Sequence, residues 1–422
     1  MAFKKIPVKG MCDVLPSEMR LREEVLALIR ESYAKYGFEE IKTPAMEPIE
    51  NLQSKQGGEN EKLIFKVMKR GAELVRALEK ENGELADCGM RYDLTVPLAR
   101  YYANNAAKLV SPFKSLQIGD VWRADNPQKG RFRQFMQCDI DVLGDDTNFA
   151  EIELITATAN MLGMIFTKIG EVGFTVHVND RKLLVAVGLA SGFSEEETAS
   201  LLISLDKLDK IGFDGVEAEL LAKGYDEAKV KNYLSVYQTV EEGITPAQFA
   251  QAIDGKYLSE TVVQNLEEII ACAGSAVKDN VKVAFDPTLV RGMGYYTGPI
   301  FEITTQNYGF SVAGGGRYDK MVGKFTGQDV PAVGFSIGFE RIVTILKDFD
   351  EVESAKIKGE GIAFLLDRRI STEKKMEIFA KAQALRAEGY TVTVAPMKKN
   401  LKFQIDELMK VGYKEINRVY AD

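Results

Sequence analysis

The run VWRADNPQKGRFRQFMQCDID, Val121 to Asp141, sets Arg123, Lys129, Arg131 and Arg133 close together in a chain whose net charge is -8. Clustered cations answer phosphate oxygens, arginine through a planar fork that can grip two oxygens at once. Directly afterwards, Gln137, Asp139 and Asp141 alternate with Met136, Cys138, Ile140 and Val142. Successive strand residues point to opposite faces, so one face is apolar and the other carries Phe135, an amide and two carboxylates. Carboxylates are expensive to bury unless they meet water or a cation. The chemistry implied is a basic hairpin loop for phosphates and an acidic strand face for an amine or an imidazole. A solvated loop beside a one-sided strand fits the periodicity equally well.

Other chemistries are excluded by what the chain lacks. Its single histidine, His177, rules out a His-rich metal site and any nucleotidyl transfer built on two histidines. Cys12, Cys88, Cys138 and Cys272 are far apart and form no CxxC, so no metal site from cysteine or histidine clusters and no structural disulfide is expected. No P-loop and no GxGxxG opening a helix is present. In VAGGGRYDK the glycines are contiguous and no helix cap follows, so a phosphate loop fits poorly; a glycine-rich turn is the plain alternative. No apolar run reaches the roughly 18 residues that span a bilayer, and MAFKKIPVKG has no signal-peptide core. A cytoplasmic protein with no membrane association is expected.

The elements that must carry these residues follow from the periodicities. With 422 residues, 45% hydrophobic and 27% charged, the chain has room for about two to three domains. Residues 17–36 place Leu21, Val25, Leu28, Ile29 and Tyr36 on one helical face, with Gly37 as the stop. FEEIKTP follows as a short strand closed by Pro44. Strands and turns alternate from about 60 to 145. A largely helical block, about 182–278, then interrupts. Inside it Ser194 and Glu197 form a capping box, and Thr245 caps a helix with Pro246 at its first position. Strands return at KVAFDP and GPIFEITTQ. Residues 350–361 read as a charged linker, and 362–422 as a small βαβαβ unit.

These segments together resemble the class II aminoacyl-tRNA synthetases in their histidyl form. KGMCDVLP (9–16) resembles the family's N-terminal signature, and the helix and strand ending at Pro44 resemble motif 1, a dimer-interface element. Residues 121–141 resemble motif 2, LVRGMGYYTGPIFE (289–302) the histidine-specific motif, and AVGFSIGFERI (332–342) motif 3. The resemblance implies an α+β chain. Its catalytic domain, an antiparallel sheet flanked by helices, comprises residues 1–181 and 279–349, and residues 182–278 form a helical insertion. A C-terminal α/β anticodon-binding-like domain at 362–422 looks short.

It also implies roles. Arg123 grips the ATP α-phosphate, Arg341 the γ-phosphate, and Arg291 takes a place that a metal ion fills in related enzymes. Arg131, Gly315 and Gly338 belong to the ATP site, GGGRYD lying beside the adenosine. Asp93 and Thr95, expected on one strand face by their period of two, contact the histidine α-ammonium with Gln137 assisting. Asp141 and Tyr296 take the two imidazole nitrogens, with Tyr295 beside them. Gln128 and Lys129 read the tRNA acceptor end. Expected partners are histidine, ATP with Mg2+, tRNA(His) and a second copy in a homodimer. Gly294 departs from the family, which commonly has aspartate there. The rival reading is the non-catalytic, histidyl-synthetase-like regulatory subunit of ATP phosphoribosyltransferase. Arg291 and Arg341, which such paralogues tend to lose, are both present.

Overall fold

The computed structural model describes residues 3–53, 59–80, 83–128, 131–170, 172–253, 255–291, 294–305, 308, 310–348, 357 and 359–421. Most of the charged stretch 350–361 lies outside them. The chain divides into two compact units, one of residues up to Cys12 with Leu28–Ile345, the other of Asp13–Ala27 with Leu346 onward.

α1 (Pro16–Ala34) buries Leu21, Val25 and Ile29, as their spacing predicts, and Gly37 follows it in the left-handed conformation. β1 (Glu39–Ile41) leads to β2 (Met46–Pro48), α2 (Ile49–Leu52), β3 (Lys66–Met68), α3 (Gly71–Leu78) and β4 (Ala86–Met90). Strands β2, β4 and β3 form a small antiparallel sheet in that order. α4 (Thr95–Asn105) precedes the hairpin of β5 (Phe113–Trp122) and β6 (Gln134–Leu143), paired from Phe113 opposite Leu143 to Trp122 opposite Gln134. The basic loop, 123–133, joins them. Next come α5 (Phe149–Phe166) and β7 (Phe174–Asp180). The helices α6 (Arg181–Ala190), α7 (Glu195–Leu205), α8 (Leu208–Ala222), α9 (Glu227–Gln238), α10 (Pro246–Ala250) and α11 (Glu260–Ser275) follow without a strand among the described residues. The expected capping box forms at Ser194 with Glu197, and Thr245 caps its helix as expected, in a second box with Gln248. β8 (Val281–Phe285), β9 (Pro299–Thr305), β10 (Ser311–Arg317), α12 (Asp319–Thr326), β11 (Ala332–Gly338) and α13 (Phe339–Asp348) close this part.

The main sheet has eight strands in the order β1-β5-β6-β11-β10-β9-β7-β8. Its six inner strands pair antiparallel, and only the edge pairs β1/β5 and β7/β8 are parallel. The alternation in β6 decides its faces. Cys138, Ile140 and Val142 are fully buried on one side, where α5 packs on β6 and β11. α5 is long and apolar enough to pass for a membrane span, yet 72% of that stretch is buried inside the protein. The opposite face of the sheet carries Gln137, Asp139 and Asp141 into a cavity.

In the other unit, β12 (Gly361–Leu366), α14 (Thr372–Ala387), β13 (Thr391–Pro396), α15 (Leu401–Lys410) and β14 (Tyr413–Val419) realise the βαβαβ reading as a parallel sheet ordered β13-β12-β14. The central strand GIAFLL is buried throughout, as a strand covered on both faces must be.

One local expectation is overturned. Asp93 and Thr95 do not share a strand. Asp93 lies in a turn, and Thr95 opens α4, with Pro97 in the first helical turn where its missing N–H is harmless. The backbone N–H of Val96 donates to the Asp93 Oδ1 at 3.1 Å, which favours helix initiation over an extended chain. At the triple glycine the structure has strand, not the alternative turn. Gly314, Gly315 and Gly316 lie inside β10, paired on both sides, and α12 starts two residues after the strand ends.

Candidate active site

The open face of the main sheet, with the turn before α4 and the segment before β9, encloses a cavity of about 810 Å3. Asp93, Thr95, Arg123, Arg131, Gln137, Asp141, Arg291, Tyr295, Tyr296, Gly315, Gly338 and Arg341 all line it. Residues spread over 249 positions of sequence thus converge because β6, β10 and β11 are neighbours. The floor is glycine for a steric reason. A Cβ on Gly315 would overlap the Gly334 carbonyl oxygen, and one on Gly334 would overlap the Asp141 carboxylate.

The acidic end holds Asp93, Asp139 and Asp141, each at most 5% exposed. The Tyr318 hydroxyl donates to the Asp141 Oδ1 at 2.6 Å, and the Gln137 Nε2 donates to the Ser336 Oγ at 2.6 Å. The remaining acceptors Gln137 Oε1, Asp139 Oδ1 and Asp141 Oδ2 are buried without a hydrogen-bond partner. Burial pushes the Asp141 pKa up to about 7, Tyr318 opposing and Asp93 adding to the shift. Asp139 is raised well above the carboxylate range by burial and by neighbouring Asp141. Asp93 is raised by burial, against its Val96 hydrogen bond and nearby Arg123. Three carboxyls with raised pKa values, facing open space, form a site that gains strongly from a bound cation or N–H donor.

The cations of the cavity are arginines, each with its own anchor. The Arg123 guanidinium lies between two rings, 4.3 Å from the centre of Tyr92 and 5.0 Å from Phe135, and its Nε donates to the Tyr92 carbonyl at 3.2 Å. Arg291 pairs with Glu302, while its buried Nε has no acceptor among the described residues. Burial opposes the Arg291 charge, but Glu302 outweighs it and the pKa lies above the ordinary value. Arg341 donates to the Ser311 carbonyl at 2.5 Å and hydroxyl at 3.1 Å, with Phe310 5.5 Å away. Burial lowers its pKa, and Arg291, Arg131 and Arg123 add to this against Glu302. Mutually repelling guanidinium groups in one cleft favour a polyanionic ligand. Arg131 is half exposed and paired with Asp125 at 2.6 Å, a looser position than the other three.

Gln128 does not line the cavity. It bridges Arg131 across the basic loop and is exposed. Lys129 lies outside the described residues. Tyr318, Ser336, Glu302, Tyr92 and Asp206 are cavity residues that the sequence reading passed over. Tyr318 stood inside the GGGRYD run, and Glu302 at the end of the histidine-specific motif. Asp206, in the turn after α7, had no local signal. Among the described residues no group of three potential metal ligands exists.

An antiparallel sheet with one face packed on helices and the other open over arginines and carboxylates is the catalytic architecture of class II aminoacyl-tRNA synthetases. Residues 10–342 match the histidyl-tRNA synthetase family. A histidine--tRNA ligase from Leifsonia xyli subsp. xyli is 42% identical, covering 100% of this chain and 97% of its own length. The histidine--tRNA ligase of Flavobacterium johnsoniae is 34% identical over 99% of this chain and 94% of its own length. Among solved structures, histidyl-tRNA synthetase from Nostoc sp. PCC 7120 superposes with a TM-score of 0.73 at 26% identity, covering 97% of this chain and 90% of that one. An ATP phosphoribosyltransferase regulatory subunit/histidyl-tRNA synthetase from Bacillus halodurans C shares the fold, with a TM-score of 0.75 at 20% identity over the full length of both. The chain belongs to the histidyl-tRNA synthetase family.

Proposed function

We propose that this chain activates histidine with ATP and transfers it to the 3′ end of tRNA(His). The observation that carries the reading is one cavity lined by two chemically opposite sets of groups. Gln137, Asp139 and Asp141 present buried acceptors with no partner among the described residues, and Arg123, Arg291 and Arg341 present cations to the same space. Histidine spans them. Its α-ammonium meets Asp93, Thr95 and Gln137, and its imidazole meets Asp141 and the Tyr296 hydroxyl, with Tyr295 in the wall. Its carboxylate then points toward the arginines and attacks the ATP α-phosphate in line, releasing pyrophosphate.

The protein's task in that step is to hold developing negative charge. Arg123 holds the α-phosphate, stiffened by its two rings. Arg341 holds the γ-phosphate, and Arg291 meets the transferring group. Gly315 and Gly338 leave room for the adenosine, and Mg2+ enters as the counter-ion of ATP. A ribose hydroxyl of the 3′-terminal adenosine of tRNA(His) next attacks the acyl carbon of the histidyl-adenylate and AMP leaves, the acceptor stem being guided by the loop carrying Gln128, Lys129 and Arg131. The active species is a homodimer joined through α1 and β1. The full-length relatives are ligases, which favours catalysis over the regulatory-subunit alternative.

Histidine-dependent exchange of radiolabelled pyrophosphate into ATP tests the first step, and charging of tRNA(His) the second. Histidine binding without exchange would place the chain with the regulatory paralogues instead.

A further inference from the structure

Arg91 is 7% exposed and does not line the large cavity, yet it ties the 43–45 segment to β5 directly behind the Asp93–Thr95 turn. Its Nε donates to the Asp120 carbonyl of β5 at 2.7 Å. Its Nη1 donates to the Thr43 carbonyl at 3.0 Å, the Thr43 hydroxyl at 3.3 Å and the Pro44 carbonyl at 3.4 Å. The Arg91 backbone N–H donates to the Ala45 carbonyl, and the Trp122 N–H donates to the Arg91 carbonyl, both at 3.0 Å. Among the described residues no carboxylate pairs with it. A buried cation held by carbonyls and one hydroxyl, with Asp120, Asp139 and Glu47 acting on its charge only through space, is a costly way to fill space, because a hydrocarbon would do so without desolvation.

What the guanidinium does is geometric. It lies so close to Gly119 that any Cβ there would overlap it, and Gly119 stands opposite Gln137 in the β5/β6 register. Thr43, which receives the fork, donates its hydroxyl to the Gln117 Oε1 at 3.1 Å. The Gln117 Nε2 donates to the Leu94 carbonyl at 3.0 Å. Leu94 lies between Asp93 and Thr95, and Gln117 stands opposite Asp139. One planar fork therefore joins Thr43 and Pro44 to β5, and Thr43 and Gln117 relay that junction to the turn that presents Asp93 and Thr95. A lysine carries the same charge but offers no planar fork to bridge carbonyls in different directions.

We infer that Arg91 is a positioning residue for histidine recognition, acting through Thr43, Gln117 and the Asp93–Thr95 turn without touching substrate. The inference rests on the histidine site proposed above. A small misplacement of recognition groups costs affinity steeply, while Arg291 and Arg341 have anchors of their own. The effect therefore falls on histidine more than on ATP.

A second cavity, about 280 Å3, adjoins the fork and is bounded in part by Lys42, Asp120 and Trp122. It supplies a route for chemical rescue. Arg91→Ala is expected to raise the histidine KM in pyrophosphate exchange about tenfold or more, with a smaller change for ATP. Millimolar guanidinium chloride, far below denaturing concentration, is expected to recover most of that loss, and equal sodium chloride none. Arg91→Lys is expected to show the loss without rescue, and Thr43→Val a several-fold loss by removing one link of the relay. A loss in folded Arg91→Ala that guanidinium leaves untouched, or a normal histidine KM in Arg91→Lys, overturns the inference. Should Arg91→Ala not fold, Arg91→Lys and Thr43→Val decide alone, and normal histidine constants in both overturn it. Calorimetric histidine binding reads the same relay without catalysis. Absent exchange in the unmodified protein would instead be a failure of the proposed function.

Discussion

Arg291 and Asp141 stand at opposite ends of the reaction. Arg291 has one buried N–H uncommitted and a carboxylate, Glu302, fixing the rest of its fork. Arg291→Ala is expected to remove about 3–4 kcal/mol of transition-state stabilisation, a loss of two to three decades in pyrophosphate exchange. Calorimetric histidine affinity should stay within about tenfold, because Asp93, Gln137 and Asp141 keep their recognition contacts; near-normal exchange would leave Arg291 a structural partner of Glu302. Asp141 keeps one oxygen on Tyr318 and has the other unpartnered. Asp141→Asn is expected to weaken histidine binding by about 1.5–3 kcal/mol, the worth of a charge-assisted bond, with ATP use less affected. The same carboxyl makes a pH prediction. Its pKa is about 7 folded against an ordinary 3.8. Between those values the folded protein holds a proton that the unfolded chain has released, so stability from this group falls as pH rises toward 7. Thermal melts of the ligand-free protein between about pH 5 and 7 should therefore slope downward, and less so in Asp141→Asn. An identical slope in both proteins would remove Asp141 as its source.

At the scale of elements, β6 was legible and β10 was not. Strict alternation told which face of β6 was polar, and the structure turns that face to the cavity. β10 reads SVAGGGR, in which contiguous glycines carry no alternation and have the usual signature of a turn. Its extended state comes from pairing with β9 and β11 on either side. The same pairing makes a test. Gly315→Ala would place a methyl group on the Gly334 carbonyl, backbone that cannot swing away. ATP affinity is expected to fall at least tenfold, or the variant to lose several degrees of melting temperature as β10 and β11 part. Wild-type behaviour on both counts would mean that this floor is not closely packed. The Asp93–Thr95 turn is the converse case. Period two suggested a strand, but a side-chain acceptor three residues before Val96 and a proline at position 97 start a helix instead.

For the whole molecule, the main sheet ends on one side at β1, only three residues long and paired on one edge. A short parallel edge strand following an amphipathic helix suits a surface that a second copy covers. Light scattering at micromolar concentration is expected to give twice the chain mass of 46.9 kDa. A monomeric mass with full activity would dismiss the dimer.

The sequence alone determined the helices with capping boxes, the faces of α1 and β6, and the types of residue that could meet phosphate and histidine. Those properties are local, since a cap, a stop or an alternating face is decided within a few residues. What only the tertiary structure decided is which strands are neighbours. The order β6-β11-β10-β9 brings Tyr318 onto Asp141, Ser336 onto Gln137 and Glu302 onto Arg291. It also buries Asp139 and Asp141 together, raising their pKa values. Such pairings depend on contacts across up to 199 positions of sequence, and long-range packing leaves no periodic trace in the chain. Asp206, contributed from the turn after α7, had no local pattern to reveal it.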